Sequence, residues 1–130
     1  DVIMRMQKTF RDIVKKDGTF IAPDDFSEVI DNGKAFIDPG VKMGEGWLLT
    51  GEVVSLIKSG VTNVISAQPF GCLPNHIVAK GMVRKIKDEY PKANIVAIDY
   101  DPSASKVNQE NRIRLMLANA KLSEEMKASI

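Results

Sequence analysis

The 130-residue sequence is poor in cysteine, histidine and aromatic residues: it has one Cys, one His and one Trp, and 6% aromatic residues in all. A single cysteine excludes an internal disulfide and is typical of a protein in a reducing compartment, which predicts a cytoplasmic location. One cysteine and one histidine are also too few for a closed zinc site with four protein ligands.

A long apolar run and an excess of charge are absent as well. No apolar run approaches the roughly 20 residues that a transmembrane helix needs, so we expect no membrane partner. The 18 basic and 17 acidic residues leave a net charge of +1, which gives no long-range field to attract nucleic acid. Since the sequence starts at Asp1 rather than Met and shows no charged and then apolar leader, we expect part of a longer protein without a signal peptide.

The apolar spacing predicts alternating helices and strands in the second half of the chain. Two short β-branched runs, Thr62–Ala67 and Ile95–Ile98, predict buried strands, which are parallel because a helical pattern lies between them. Asp101 before Pro102 predicts a helix N-cap with proline at the first helical position. Helical patterns cover Val2–Val14, Pro23–Gly33, Trp47–Ser59, Pro74–Tyr90 and the segment after Asp101.

The predicted fold class is α/β: a small Rossmann-like or flavodoxin-like parallel sheet fragment with flanking helices. We expect one domain over residues 1–130, with a helical N-terminal part and loop at 1–43 and a strand–helix core at 44–121. Two strands do not make an independently stable sheet. Either a third strand lies near Phe20-Ile21 or Phe36-Ile37, or the remainder of a longer parent chain completes the sheet, which we favour. A homodimer formed through the incomplete sheet is a further way to complete it.

The segment Gln68–His76 (Q-P-F-G-C-L-P-N-H) holds the cysteine and the histidine at a junction of strand and helix. In an open parallel sheet, ligands bind at such junctions. Cys72 precedes a predicted helix start, a setting that stabilises a thiolate and suits a metal ligand or a nucleophile. The alternative for Cys72 is a small, half-buried free cysteine, and for His76 a capping or supporting residue.

Polar residues after the second strand point to the same crevice. Asp99 and Asp101 follow that strand, although a cap at Asp101 and a loop contact at Asp99 would also account for them. Asn108, Gln109 and Arg112 make the start of the last helix polar, which fits either a site-lining surface or an ordinary solvated face.

Four segments in order resemble a known family: G-E-G-W-L-L-T at 44–50, Q-P-F-G-C-L-P-N-H-I at 68–77, K-G-M at 80–82 and I-D-Y-D-P-S-A-S-K-V-N-Q-E-N-R-I at 98–113. They resemble the C-terminal region of the large activators related to 2-hydroxyacyl-CoA dehydratases, the CoA-substrate-specific enzyme activases. The resemblance implies ATP-driven delivery of an electron to an iron–sulfur cluster, which allows water to be removed from a 2-hydroxyacyl-CoA. It also implies two partners, the remainder of the parent chain and the dehydratase subunits.

The resemblance makes Cys72 the candidate ligand of a [4Fe-4S] cluster in the full-length parent and assigns no catalytic residue. One cysteine cannot hold a cubane cluster, and the family's nucleotide-binding core is absent from these residues, so we expect the isolated segment to be inactive and without cofactor. The alternatives are a non-catalytic subunit-docking module with a structural free cysteine and a pocket for the nucleotide part of a CoA thioester. The residues expected to line the site are Gln68, Pro69, Phe70, Gly71, Pro74, Asn75, His76, Asp99, Asp101, Asn108, Gln109 and Arg112.

Overall fold

The computed structural model of the chain, which describes residues 1–101 and 105–128, is a mixed α/β structure built around a two-stranded parallel sheet. Its elements in order are α1 (Val2–Asp17), α2 (Phe26–Lys34), α3 (Gly46–Lys58), β1 (Asn63–Pro69), a π-helix (Pro74–Ala79), α4 (Lys80–Glu89), β2 (Asn94–Tyr100) and α5 (Lys106–Ala128). Of the helices described, none combines the length and the apolar character required to cross a bilayer.

The two strands are parallel neighbours, as the sequence predicts, but both are longer than their apolar runs. Gln68 and Pro69 end β1, and they pair with Asp99 and Tyr100 at the end of β2. The predicted strand ends at Ala67 and Ile98 are each two residues too early, because backbone pairing continues where apolar side chains stop. In the described part of the chain no third strand forms, either at Phe20-Ile21 or at Phe36-Ile37.

The outer edges of the sheet differ. Along β2, the carbonyl oxygen of Ala97 accepts a hydrogen bond from Arg112 Nη1 and that of Asp99 accepts one from Gln109 Nε2, both at 3.1 Å. These two α5 side chains therefore cover the edge of β2. No described element pairs with the outer edge of β1, where Ile65 is 47% exposed. An open edge of this kind can accept another strand.

The hydrophobic core contains residues from α3, α4 and both strands. Val54 and Ile86 are almost fully buried, and Tyr90 packs against the cluster. At the edge of the core, Lys85 Nζ donates a hydrogen bond to the carbonyl oxygen of Phe36 at 2.7 Å. The buried members of the cluster are Phe36, Val54, Val64, Ile86, Ala93 and Ile95.

Helices α2 and α3 approach closely through glycines. A Cβ at Gly33 would lie 3.1 Å from the carbonyl oxygen of Trp47, and the backbones of Gly33 and Gly51 face each other. Beside this contact, Asn32 Nδ2 donates to Ser55 Oγ at 2.8 Å, so these two buried polar side chains satisfy each other. The absence of side chains at the two glycines is what lets the helices come this near.

Two predicted helix starts need correction. The pattern Pro74–Tyr90 was expected to be one α-helix, but its first six residues form a π-helix that continues into α4. The prediction of Asp101 as an N-cap is wrong, because α5 begins at Lys106 and the carbonyl oxygen of Ser105 accepts from the backbone N–H groups of Asn108 and Gln109. Pro102, expected at the first helical position, lies outside the described residues.

Helix α1 is amphipathic but buries none of its residues. Two polar contacts tie it to the start of α2: Arg11 Nη1 lies 3.0 Å from Asp25 Oδ2, and Gln7 Nε2 donates to the carbonyl oxygen of Asp24 at 3.5 Å. Asp25 also caps α2, where its Oδ1 accepts from the hydroxyl and the backbone N–H of Ser27. The hydrogen bonds from Ser27, followed by the charge of Arg11, lower the pKa of the Asp25 carboxyl.

We expect Asp25→Ala to loosen α1, because the substitution removes both the α2 cap and the partner of Arg11. Faster amide hydrogen exchange in α1, with α4 unchanged, would be the observed result. The folded pKa of Asp25 lies below its ordinary value of 3.8, so its stabilising contribution is complete above that pH and is lost as the pH falls through the lowered pKa. Asp25→Asn keeps a cap but no charge, and this pH dependence should disappear; if the dependence persists, the carboxylate of Asp25 is not its source.

Candidate functional site

The loop after β1 is shaped by backbone hydrogen bonds at the carboxyl end of the sheet. Phe70 N donates to the carbonyl oxygen of Tyr100, and Cys72 N donates to that of Pro69, each at 3.2 Å. The second bond closes a tight turn in which Gly71 has φ +71°, a conformation that glycine adopts without strain. The turn places Cys72 at the entry to the π-helix, beside the ends of both strands.

Cys72 is a free, half-buried cysteine whose sulfur receives a hydrogen bond from a side-chain amide. Asn75 Nδ2 lies 3.1 Å from Cys72 Sγ. The carbonyl oxygen of Asn75 in turn accepts from Gln68 Nε2 at 3.0 Å and from the backbone N–H of Lys80, five residues along the π-helix. Three residues that the sequence placed in one segment, Gln68, Cys72 and Asn75, are thus linked by successive hydrogen bonds.

Unpaired polar atoms lie beneath this turn. Gln68 is fully buried, and its Oε1 has no hydrogen-bond partner among the described residues. His76 Nε2 and Asp99 Oδ1 are also buried atoms without a hydrogen-bond partner among the described residues. They are 3.7 Å apart, which is too long for a direct hydrogen bond. Gln68 and Asp99 are partners in the register of the sheet, so the three groups belong to one region at the carboxyl ends of the strands.

A polar cleft of about 420 Å³ lies next to Asp99 at the start of α5. Two of the side chains that line it, Gln109 and Arg112, already donate hydrogen bonds to backbone carbonyl oxygens of β2. Asn108 lines the same cleft, whereas Cys72 and His76 do not. The structure therefore brings Asp99, Asn108, Gln109 and Arg112 together, and Asp99 also lies 3.7 Å from His76, which follows the Cys72 turn.

Exposed apolar side chains surround the Cys72 turn. Phe70 is 74% exposed, Leu73 56%, Ile77 52% and Tyr100 50%. Single exposed apolar residues are normal on a protein surface, but these four lie in the turn, in the π-helix and at the end of β2, and we refer to them as the exposed patch, which could contact another protein surface. The sequence did not indicate this patch, because Phe70 and Leu73 lie in a loop without periodicity.

Pro74 and the glycine-rich loop before α3 meet at the same end of the molecule. A Cβ at Gly44 would lie 3.2 Å from the Pro74 ring, and one at Gly46 would lie 2.8 Å from Val78 Cβ. These contacts show how the G-E-G segment supports the π-helix. The sequence by itself does not indicate these contacts, since packing between distant segments leaves no local signal.

Within residues 1–101 and 105–128, no group of three or more His, Cys, Asp and Glu side chains is arranged to hold a metal ion. Cys72 could supply one ligand only. Comparison of the chain with protein-family models, with curated proteins and with solved structures finds no match.

Proposed function

We propose that this chain forms one wall of an iron–sulfur site in a protein related to the 2-hydroxyacyl-CoA dehydratase activators, with Cys72 as its thiolate ligand. The observation that carries the proposal is the half-buried Cys72 sulfur at the carboxyl end of a parallel sheet, with an amide N–H directed at it from 3.1 Å. Cluster-ligating sulfurs commonly accept such hydrogen bonds. When bound, the cluster would supply one-electron transfer.

The residues of the chain fit one ligand position and no more. Cys72 is its only cysteine, so the other ligands of a [4Fe-4S] cluster would come from the remainder of a parent chain or from dehydratase subunits. Pro69, Gly71 and Pro74 shape the turn that presents the sulfur, and His76 and Asp99 lie 3.7 Å apart beside it. We propose no catalytic residue in this segment.

The open edge of β1 supports the view that the site is composite. We infer that further strands extend the sheet from β1 into a Rossmann-like or flavodoxin-like sheet, supplied by the parent chain. Pro69, which has no N–H to donate, ends the stretch of β1 that can pair with an added strand. A second copy pairing along the same edge would give a homodimer instead; sedimentation analysis of the intact protein distinguishes these two arrangements.

Anaerobic iron–sulfur reconstitution of the full-length parent tests the cluster role. We expect Cys72→Ser to lose most of the iron and of the visible cluster absorption, because a serine hydroxyl is a poor substitute for a thiolate ligand. Leu73→Ala, which alters an exposed neighbour in the same turn and keeps the sulfur, should retain both. Equal iron content and absorption in the Cys72→Ser variant and the parent would exclude Cys72 as a ligand.

The exposed patch of Phe70, Leu73, Ile77 and Tyr100 favours a second candidate function, a subunit-docking module in which Cys72 stays a thiol. In that case the affinity for a dehydratase subunit survives Cys72→Ser and falls in Phe70→Ser, because Phe70 is the most exposed member of the patch. Measuring both variants by titration calorimetry separates the two candidates. Loss of the cluster together with unchanged subunit affinity in Cys72→Ser would indicate that the segment both docks and ligates.

A further inference from the structure

We propose that helix α1 of one copy of this chain packs on the exposed face of β1 in a second copy, so that two copies form a closed two-fold dimer. The inference goes beyond the proposed function and does not depend on a cluster. It starts from two apolar surfaces that no described segment covers, a stripe on α1 and one face of β1. Helices cover both faces of parallel sheets, so a helix is the element expected on a bare face of this sheet.

One face of the sheet is covered over β2 and bare over β1. Residues that are partners in the register point to the same face. Ile98 is fully buried on this face, whereas its partner Ala67 is exposed. Helix α5 lies over β2 here, where the carbonyl oxygen of Met116 accepts from Asn94 Nδ2 at 2.9 Å. Over β1 the face continues with Ile65, which is 47% exposed.

A cleft of about 580 Å³ extends the bare face towards the start of β1. Asn63, which shares this face with Ile65, lines the cleft together with Leu122 and Met126 of α5. Leu122 is 58% exposed. The cleft, Ile65 and Ala67 together form an apolar groove beside α5, which we call the β1 groove.

Helix α1 carries the matching surface. Ile3, Met6, Phe10 and Ile13 follow one another at i, i+3, i+7 and i+10, the spacing with which a helix places anchors in a groove. Each of these four side chains is between 57% and 73% exposed. Among the helices described, α1 is the one that buries no residue, and its two polar contacts with the start of α2 leave this stripe uncovered.

The size of the two surfaces favours a second copy as the partner. Four apolar side chains exposed to this extent present roughly 400 Å², and the groove that receives them loses a similar area. In a two-fold dimer each copy contributes one helix and one groove, about 800 Å², which is the size of a standard specific interface. A lipid surface or an unrelated protein bound to α1 would leave the β1 groove bare, whereas reciprocal pairing covers both surfaces.

Sedimentation equilibrium of the intact protein tests the inference and should show a dimer. Phe10→Ser should raise the dissociation constant about a hundredfold, because each dimer loses a central anchor from both of its helix–groove contacts. Ile65→Ser, in the β1 groove, should act in the same direction. Lys8→Ser is the matched control, since it changes an exposed residue on the side of α1 opposite the stripe, and it should leave the dissociation constant unchanged. Unchanged circular dichroism spectra show that the variants still fold.

Mixing the two groove variants gives the sharpest check. The Ile65→Ser copy keeps an intact α1 and the Phe10→Ser copy keeps an intact groove, so a mixture should associate more strongly than either variant alone. A mixture that associates no more than the separate variants contradicts the proposed contact.

Three further results would overturn the inference. A protein that is monomeric at every concentration has α1 covered by some other partner or by none. A dimer that Phe10→Ser leaves unchanged forms elsewhere, as it would if two copies paired along the edge of β1. A dimer weakened by Phe10→Ser but not by Ile65→Ser uses α1 against a different surface. None of these results bears on Cys72 as a ligand, so this inference and the proposed function fail separately.

Discussion

Replacing Gly51 by alanine should destabilise the protein by about 3 kcal/mol, near the upper end of the cost of overpacking a core contact. A Cβ at this position of α3 would lie inside the contact radius of the Val29 carbonyl oxygen and 3.2 Å from the Gly33 nitrogen. These are backbone atoms of α2, which cannot rotate away as a side chain can. The two helices must separate, and the bond between Asn32 and Ser55 should weaken with them.

Urea unfolding followed by circular dichroism measures this effect, and Gly81→Ala is its control. Gly81 lies in α4 with open space around the position of a Cβ, so alanine there should stabilise the protein by about 0.5–1 kcal/mol through lower unfolded-state entropy. Opposite signs for the two substitutions are expected. A stabilising Gly51→Ala would mean that α2 and α3 do not pack as closely as described.

Ile98→Ala should destabilise the protein by about 3–4 kcal/mol, because the side chain is fully buried in the middle of β2 and its loss leaves a cavity. Ile65→Ala removes the same atoms from β1, where the side chain is 47% exposed, and should have an effect of about 1 kcal/mol or less. The two strands are neighbours, so the comparison isolates burial from strand propensity.

The same unfolding measurements also test whether the exposed face of β1 is covered in the intact protein. If Ile65→Ala in the full-length parent is as destabilising as Ile98→Ala, another segment packs against Ile65 there. A small effect of Ile65→Ala in the full-length parent would mean that this face of β1 stays exposed.

The helices and the existence of both strands could be predicted from periodicity, because α1 to α4 and the runs around Val64 and Ile95 carry clear local patterns. The exact ends of these helices and strands could not be predicted in this way. Asp99 and Tyr100 look like turn residues, yet they extend β2 because Gln68 and Pro69 pair with them. The predicted start of the last helix after Asp101 also differs, because α5 begins at Lys106.

The candidate site was predicted as a location but not as an arrangement. Parallel strands bring their carboxyl ends to one edge, so Cys72 and Asp99 could be expected near each other from the order of elements alone. The bond from Asn75 to Cys72 and its support by Gln68 could not, because they depend on the π-helical turn and on the burial of one strand side chain. Gln109 and Arg112, expected to line the site, also cover the edge of β2, a role that only the packing of α5 reveals.

Sequence alone determined that this chain forms helices around a small parallel sheet and that its one cysteine lies at a strand-to-helix junction, since both follow from local spacing and connectivity. Tertiary structure alone decided which atoms contact the Cys72 sulfur, how closely α2 and α3 approach, and which edge of the sheet stays open. The reason is physical: hydrogen bonds and close contacts between residues distant in the chain depend on how the elements pack, and no local pattern encodes that.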